Sequence, residues 1–196
     1  DPAVIRPLKD ADASTTVLDI SGNGNNGAAI RNTTLLTDGD GAMKFNGTSD
    51  YIDCASPDTF DFTGAMTVSA WIRVDYAGTA VTPIVQKRQG GTGDPSFYFR
   101  LYQDRPAFSV YGDSGWAPAV VGATQLYHHT WYHVSASFDG QYLNVYCNGK
   151  LDGRRAWSGS ITTGRQPVQI GRDADHYFAG KIKQVALYDQ AIDIST

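Results

Sequence analysis

The side chains with chemical potential in this chain are aspartates gathered in turns and aromatics set beside arginines. All 20 acidic residues are Asp, and Glu is absent. A paired-glutamate glycosidase mechanism therefore has no residues to act through, although an Asp pair remains open. Asp19, with Asn23, Asn25 and Asn26 in a Gly-rich turn, offers several hard oxygens of the kind calcium takes. The same residues equally suit a turn in which side chains cap backbone donors.

Sugar recognition needs aromatic faces to stack on C–H groups, and planar donors and acceptors for paired hydroxyls. Two groups of residues supply that mixture. One occupies alternating strand positions: Trp71 and Arg73; Tyr98, Arg100 and Tyr102; Tyr142, Asn144 and Tyr146. The other lies in loops, with Asp113 and Trp116 in one, Arg154, Arg155 and Trp157 in a second, and Asp173, Asp175, His176 and Tyr177 in a third. A sheet face suits an extended chain, and a loop rim suits a short or terminal glycan. The plainer reading is that Tyr and Arg decorate a solvated face while a loop Trp plugs the sandwich edge.

Catalysis has thinner support. His128, His129 and His133 gather near Trp131, but no Gly-x-Ser-x-Gly elbow occurs. The close acids Asp38/Asp40, Asp58/Asp61 and Asp173/Asp175 fall in turn-like stretches, where carboxylates are mostly solvated. A lyase built on Tyr, His and Arg stays as a rival.

These residues must be positioned by strands, because the dominant sequence period is two. In Met66–Val74 the residues Met66, Val68, Ala70, Ile72 and Val74 share one face, opposite Thr67, Ser69, Trp71 and Arg73. Phe97–Tyr102, His133–Phe138 and Tyr142–Cys147 repeat the pattern. Asp139-Gly140 and Asn148-Gly149 supply the turn chemistry of tight hairpins. Further strands are expected at 42–45, 51–55, 84–88, 105–111, 168–171 and 181–188. The expectation is an all-β, two-sheet antiparallel sandwich of roughly 12–14 strands, forming one domain over residues 1–196.

Composition agrees. Twenty Asp, 21 Gly and 8 Pro favour turns over helices, and aromatic residues reach 12%. A net charge of −4 argues against nucleic acid or an anionic membrane as partner, and no apolar run is long enough for a transmembrane helix. Cys54 and Cys147 fit no metal or redox motif. Either they form one bridge or each is a small apolar residue in a strand. Asn32-Thr33-Thr34 and Asn46-Gly47-Thr48 are glycosylation sequons that arise readily by chance in a Thr-rich chain. The sequence begins at Asp1 without a signal-peptide pattern, and reads as excised or processed from a longer protein.

Several stretches taken in order resemble the laminin G-like jelly roll of the concanavalin A-like lectin/glucanase superfamily. They run from Leu18–Gly27 through Met43–Ile52 and Met66–Ile72 to Trp131–Val134. The later ones are Phe138–Gly140, Tyr146–Gly149, Val168–Gly171 and Phe178–Ile182. The resemblance implies a secreted, extracellular module, commonly joined to other domains, with a carbohydrate ligand and often a calcium ion. In such a fold Asp189 would neighbour the N-terminal turn, which makes Asp19, Asn23, Asn26 and Asp189 the candidate calcium set. It does not imply catalysis, because one fold carries lectins, glycosidases, lyases and adhesive domains. Relatives carry an acidic pair where this chain has Lys183-Gln184. The expected function is non-catalytic binding of an oligosaccharide or polysaccharide. The candidate contacts are Trp116, Trp157, Arg155, Asp113, Tyr98, Arg100, Tyr102 and Tyr177. The rivals are a polysaccharide-degrading enzyme and a protein–protein adhesion domain.

Overall fold

Period-two alternation becomes paired strands in the computed structural model, which describes residues 3–5, 16–30, 41–55, 58–76, 80–88 and 95–192. The strands in chain order begin with β1 (Ala3–Ile5), β2 (Thr16–Val17), β3 (Gly27–Ile30), β4 (Met43–Asn46) and β5 (Tyr51–Asp53). Next come β6 (Met66–Val74), β7 (Val81–Lys87), β8 (Phe97–Tyr102), β9 (Arg105–Gly112), β10 (Gly115–Trp116) and β11 (Val120–Val121). The last are β12 (Trp131–Phe138), β13 (Tyr142–Cys147), β14 (Lys150–Ala156), β15 (Gln169–Ile170) and β16 (Ala179–Tyr188). The described residues thus hold 16 strands, somewhat more than the 12–14 expected, because several are only two or three residues long. Their only helical element is a 3₁₀ turn at Asp58–Phe60, and no helix is long and apolar enough to cross a membrane.

All strand pairings are antiparallel. One sheet runs β1-β16-β6-β12-β13-β14, with β4 also on β16; the other runs β10-β9-β8-β7-β15-β5-β3-β2, with β11 on β9. The two sheets form a jelly-roll sandwich. Its core takes Met66, Val68, Ala70 and Ile72 from β6, and Phe97, Phe99 and Leu101 from β8. Phe108 and Val110 of β9 and Val134, Ala136 and Phe138 of β12 join them. Each of these twelve side chains is wholly withdrawn from water, and an apolar side chain so buried contributes about 1.5–3 kcal/mol.

Two features of the sandwich depart from the sequence expectation. Lys150–Ala156, whose arginines read as a loop, is the edge strand β14. Its residues Lys-Leu-Asp-Gly-Arg-Arg-Ala carry no apolar alternation because it pairs on one side only and remains largely exposed. The outward positions of β6, β12 and β13 are also not uniformly solvated. Thr67, Ser135, Ser137, Asn144 and Tyr146 are buried. The chain after β16 folds back over part of this face: Thr67 Oγ donates to Gln190 O at 2.7 Å and accepts from Ile192 N at 2.9 Å.

Cys54 follows β5 in one sheet and Cys147 ends β13 in the other; both are reduced and buried. Of the two alternatives for these residues, the structure has the pair of small apolar residues and not the bridge. The pair Asp38/Asp40 and the sequon at Asn32 lie outside the described residues. At the second sequon, Asn46 Oδ1 accepts the backbone N–H groups of Thr48, Ser49 and Asp50 at 2.9–3.1 Å.

Candidate binding pocket on the outer face of a sheet

The alternation that turns Phe97, Phe99 and Leu101 inward turns Tyr98, Arg100 and Tyr102 to the other side of β8. Register places Tyr98 opposite Gln86 of β7 and Ser109 of β9. Arg88, two residues beyond Gln86, reaches the same face. This face is walled into a cavity of about 570 Å³ by Trp116 and Ala117 on one side and by Asp173–His176 on another.

Both walls are locally determined. Gly115, at φ +99°, turns the chain so that β10 pairs back on β9, and Trp116 then packs edge-on against Tyr111 with centroids 5.4 Å apart. Ser109 Oγ donates to Ala117 O at 2.5 Å and holds the segment that follows. The opposite wall starts at Gly171, at φ +80°, where an added Cβ would lie 2.7 Å from the Phe45 ring. The loop then closes through a bridge between Arg172 and Tyr177.

Asp173 is the pin of that loop. It is buried, and its Oδ1 accepts the backbone N–H groups of Asp175 and His176, each at 3.0 Å. His176 Nδ1 lies 3.0 Å from the same oxygen, and Tyr98 Oη donates a short hydrogen bond to Oδ2. Burial alone would raise the Asp173 pKa, but the hydrogen bonds from Tyr98, Asp175 and His176 outweigh it and hold the carboxyl below its ordinary range. For Tyr98 burial and the Asp173 carboxylate act together and push the phenol well above its ordinary value. The expectation that the 173/175 acids are solvated is therefore corrected at Asp173, which is 5% exposed, whereas Asp175 is exposed on the rim.

The floor is an arginine–tyrosine stack. The guanidinium of Arg88 lies 4.6 Å and that of Arg100 4.5 Å from the Tyr98 ring centroid, and Arg88 is also 5.6 Å from Trp116. Desolvation lowers the Arg100 pKa, and the nearby Arg88 charge lowers it further, partly offset by Tyr98, Asp173 and Tyr102. Trp116 and Tyr102 are each 40% exposed and line the cavity.

Of the sequence-derived candidates, the structure brings Tyr98, Arg100, Tyr102 and Trp116 into this one pocket with Asp173, Asp175 and His176 of the third loop, uniting the sheet-face and loop-rim alternatives. The remaining candidates lie elsewhere. Trp157 packs on Phe138 of the core at 5.2 Å, filling the space over Gly112 and Gly159. Arg155 sits on β14, with a guanidinium N–H 3.4 Å from Ala119 O. Asp113 is exposed in the turn before β10, and Tyr177 stands against Tyr51 at 6.4 Å, under Arg172. Sequence reasoning does not single out Arg88, and it places Asp173 in a candidate loop without its buried role. The signal for Arg88 was the alternation itself, which carries it outward with Gln86.

His128, His129 and His133 do not gather into one site. His128 faces Asp104 at 3.6 Å, His129 faces Asp75 at 3.5 Å, and His133 stacks near Trp71 at 5.5 Å. In the Asp19 turn the oxygens are directed at the turn's own donors. Asp19 accepts Ser21 N, Ser21 Oγ and Asn25 N at 2.8–2.9 Å, and Asn26 Oδ1 accepts Asp19 N at 2.9 Å. Asn23 lies within this turn and Asp189 follows β16 of the other sheet. This self-capped arrangement does not fit the convergent cage of six to eight oxygens that calcium takes. Among the described residues no three His, Cys, Asp or Glu cluster as a metal site.

A family model described as the concanavalin A-like lectin/glucanases superfamily matches residues 46–194. Among curated proteins, none matches this sequence. The fold is similar to the binding domain of Paraclostridial Mosquitocidal Protein 1 (15% identity, TM-score 0.73), with 98% of this chain covering 50% of that one. It is also similar to domain 4 of an extracellular arabinanase from Geobacillus stearothermophilus, solved with arabinotriose (18% identity, TM-score 0.72), each chain covered in full. A third is the botulinum neurotoxin serotype D ligand-binding domain in complex with N-acetylneuraminic acid (13%, TM-score 0.71; 98% and 48% covered). This chain thus spans about half the length of the two toxin domains. At these identities the likeness is one of fold.

Proposed function

The chain belongs to the concanavalin A-like lectin/glucanases superfamily, and on that premise we propose that it is a non-catalytic carbohydrate-binding module. The observation that carries the reading is a cavity that brings the partly exposed Trp116 and Tyr102 together with the Arg88–Tyr98–Arg100 floor. Aromatic faces stack on sugar C–H groups, and guanidinium N–H groups supply fixed forks for ring oxygens and hydroxyls. The sugar complexes of two fold relatives, with arabinotriose and with N-acetylneuraminic acid, support the same class of ligand. A shallow and wet site of this size fits a Kd of roughly micromolar to millimolar. In this proposal the module is secreted, and the other domains of a longer chain supply chemistry or multivalency.

A lyase is the second reading, because Tyr98, His176, Arg88 and Arg100 share the cavity. It is disfavoured because the Tyr98 hydroxyl proton is held by buried Asp173, and the raised pKa keeps this phenol from acting as a base. Screening polysaccharides for new ultraviolet absorbance from unsaturated ends tests the lyase, and we expect none. A glycan array followed by Trp116→Ala tests the module. Binding lost in the variant supports it; no hit on any glycan favours a protein–protein adhesion role.

Calcium at Asp19, Asn23, Asn26 and Asp189 is a separate proposal, which requires the self-capped turn to open. A rise in melting temperature when millimolar Ca²⁺ is added to EDTA-treated protein supports it, and an unchanged value ends it.

A further inference from the structure

We propose that the pocket selects a carboxylated sugar, whose carboxylate is drawn to the arginine floor formed by Arg88 and Arg100. The proposal rests on the carbohydrate-binding reading of the same site and names the ligand class within it.

Two like charges share one ring. Arg88 and Arg100 both stack on Tyr98, with guanidinium carbons 4.6 and 4.5 Å from its centroid. Each charge disfavours the other in a partly desolvated cleft, and a bound anion offsets that cost. Among the described residues no carboxylate lies within 4 Å of Arg100, and the sole one near Arg88 is Asp173, at 3.9 Å.

Asp173 gives them only part of a counter-charge. Its Oδ1 already accepts two backbone N–H groups and faces His176 Nδ1, and its Oδ2 is taken by the Tyr98 hydroxyl. Its hydrogen-bonding capacity is thus largely taken up in pinning the loop, and its contact with Arg88 stays at 3.9 Å. Asp175 is exposed on the rim, where water screens it, and it disfavours an anion on that side of the mouth. The positive end of the cavity is then the Arg100 end.

The aromatic geometry points the same way. Tyr98 has guanidinium groups over its ring, so it is not free to stack a sugar; it orients the two arginines instead. Stacking falls to Trp116 and Tyr102, the partly exposed aromatics of the cavity. A sugar ring lying against either wall can direct an exocyclic carboxylate to the arginine floor. Planar, bidentate arginine forks match a carboxylate better than they match a single hydroxyl. Uronic acids and sialic acids both present this chemistry.

The test is calorimetric titration of the wild-type protein with two matched pairs of probes. One pair is trigalacturonic acid and its methyl ester, and the other is 3′-sialyllactose and lactose. At least one acid is expected to bind ten-fold or more tightly than its neutral counterpart, and the responding pair identifies a uronate or a sialate as the source. Arg100→Gln and Arg88→Gln should each erase that preference, while circular dichroism shows the fold intact. Equal binding of acid and neutral partner, or a preference that survives both substitutions, overturns the proposal. If neutral saccharides bind and Trp116→Ala abolishes it, the acidic specificity is wrong while the carbohydrate site stands. If binding of every saccharide is indifferent to Trp116→Ala and Tyr102→Ala, both readings fall.

Discussion

Asp173 shows how one side chain can serve a loop, a sheet and a pocket together. Its carboxylate gathers the 173–176 turn, fastens it to β8 through Tyr98, and is the sole carboxylate among the described residues within 4 Å of Arg88. Because the folded pKa lies below the ordinary value, its bonds stabilise the protein above about pH 4 and are lost as pH falls through the folded pKa. Asp173→Asn should therefore lower stability by about 1–3 kcal/mol at neutral pH. Thermal melts across pH check this: the gap between wild type and variant should close in acid, and a constant gap contradicts the assignment. At this scale the sequence disclosed Tyr98, Arg100, Tyr102 and Trp116 as residue types suited to sugars. It did not disclose that Asp173 of the third candidate loop is buried, because an acid in a turn looks the same whether it is solvated or pinned by a tyrosine 75 positions earlier.

Strands with alternating apolar residues were readable wherever one face meets the core, as in β6, β8, β12 and β13. β14 was not, since an exposed edge strand has no buried face to impose a pattern on its residues. The Asn148-Gly149 turn was its one visible sign: both residues take positive φ, +50° and +76°, and return the chain antiparallel to β13. The pairing of β16 with β6 imposes a harder constraint at Gly180, where φ is +143° and an added Cβ would sit 2.1 Å from Arg73 O. Backbone cannot yield as a flexible side-chain end can. Gly180→Ala should cost more than about 1 kcal/mol. Urea unfolding reads it as a lower midpoint with unchanged slope; an unchanged midpoint contradicts the close approach.

At the scale of the molecule, stability comes from the apolar interior between two sheets and not from a covalent staple. Cys54 and Cys147 belong to different sheets, and burial suppresses both thiols, with Cys147 pushed up to about 11. The native protein should not react with a thiol reagent, should release two thiols on denaturation, and should melt at the same temperature with and without reductant. A reductant-dependent melt would reveal a bridge. The sandwich itself was legible because β periodicity and turn residues recur along the whole chain. The location of the pocket was not, since it depends on which outer face the 113–117 and 172–177 segments fold across, and neither face is named by local pattern. The opposite sheet also exposes aromatics beside cations, with Lys183 Nζ 4.5 Å from the Trp131 ring and His133 stacked near Trp71. The most direct test of the binding site is therefore a ¹H–¹⁵N NMR titration with the saccharide that responds on the array. The account predicts shifts at the Trp116 indole N–H and the amides of 98–102 and 173–176. Shifts centred on Trp71 and Trp131, with the Trp116 indole unmoved, would contradict it.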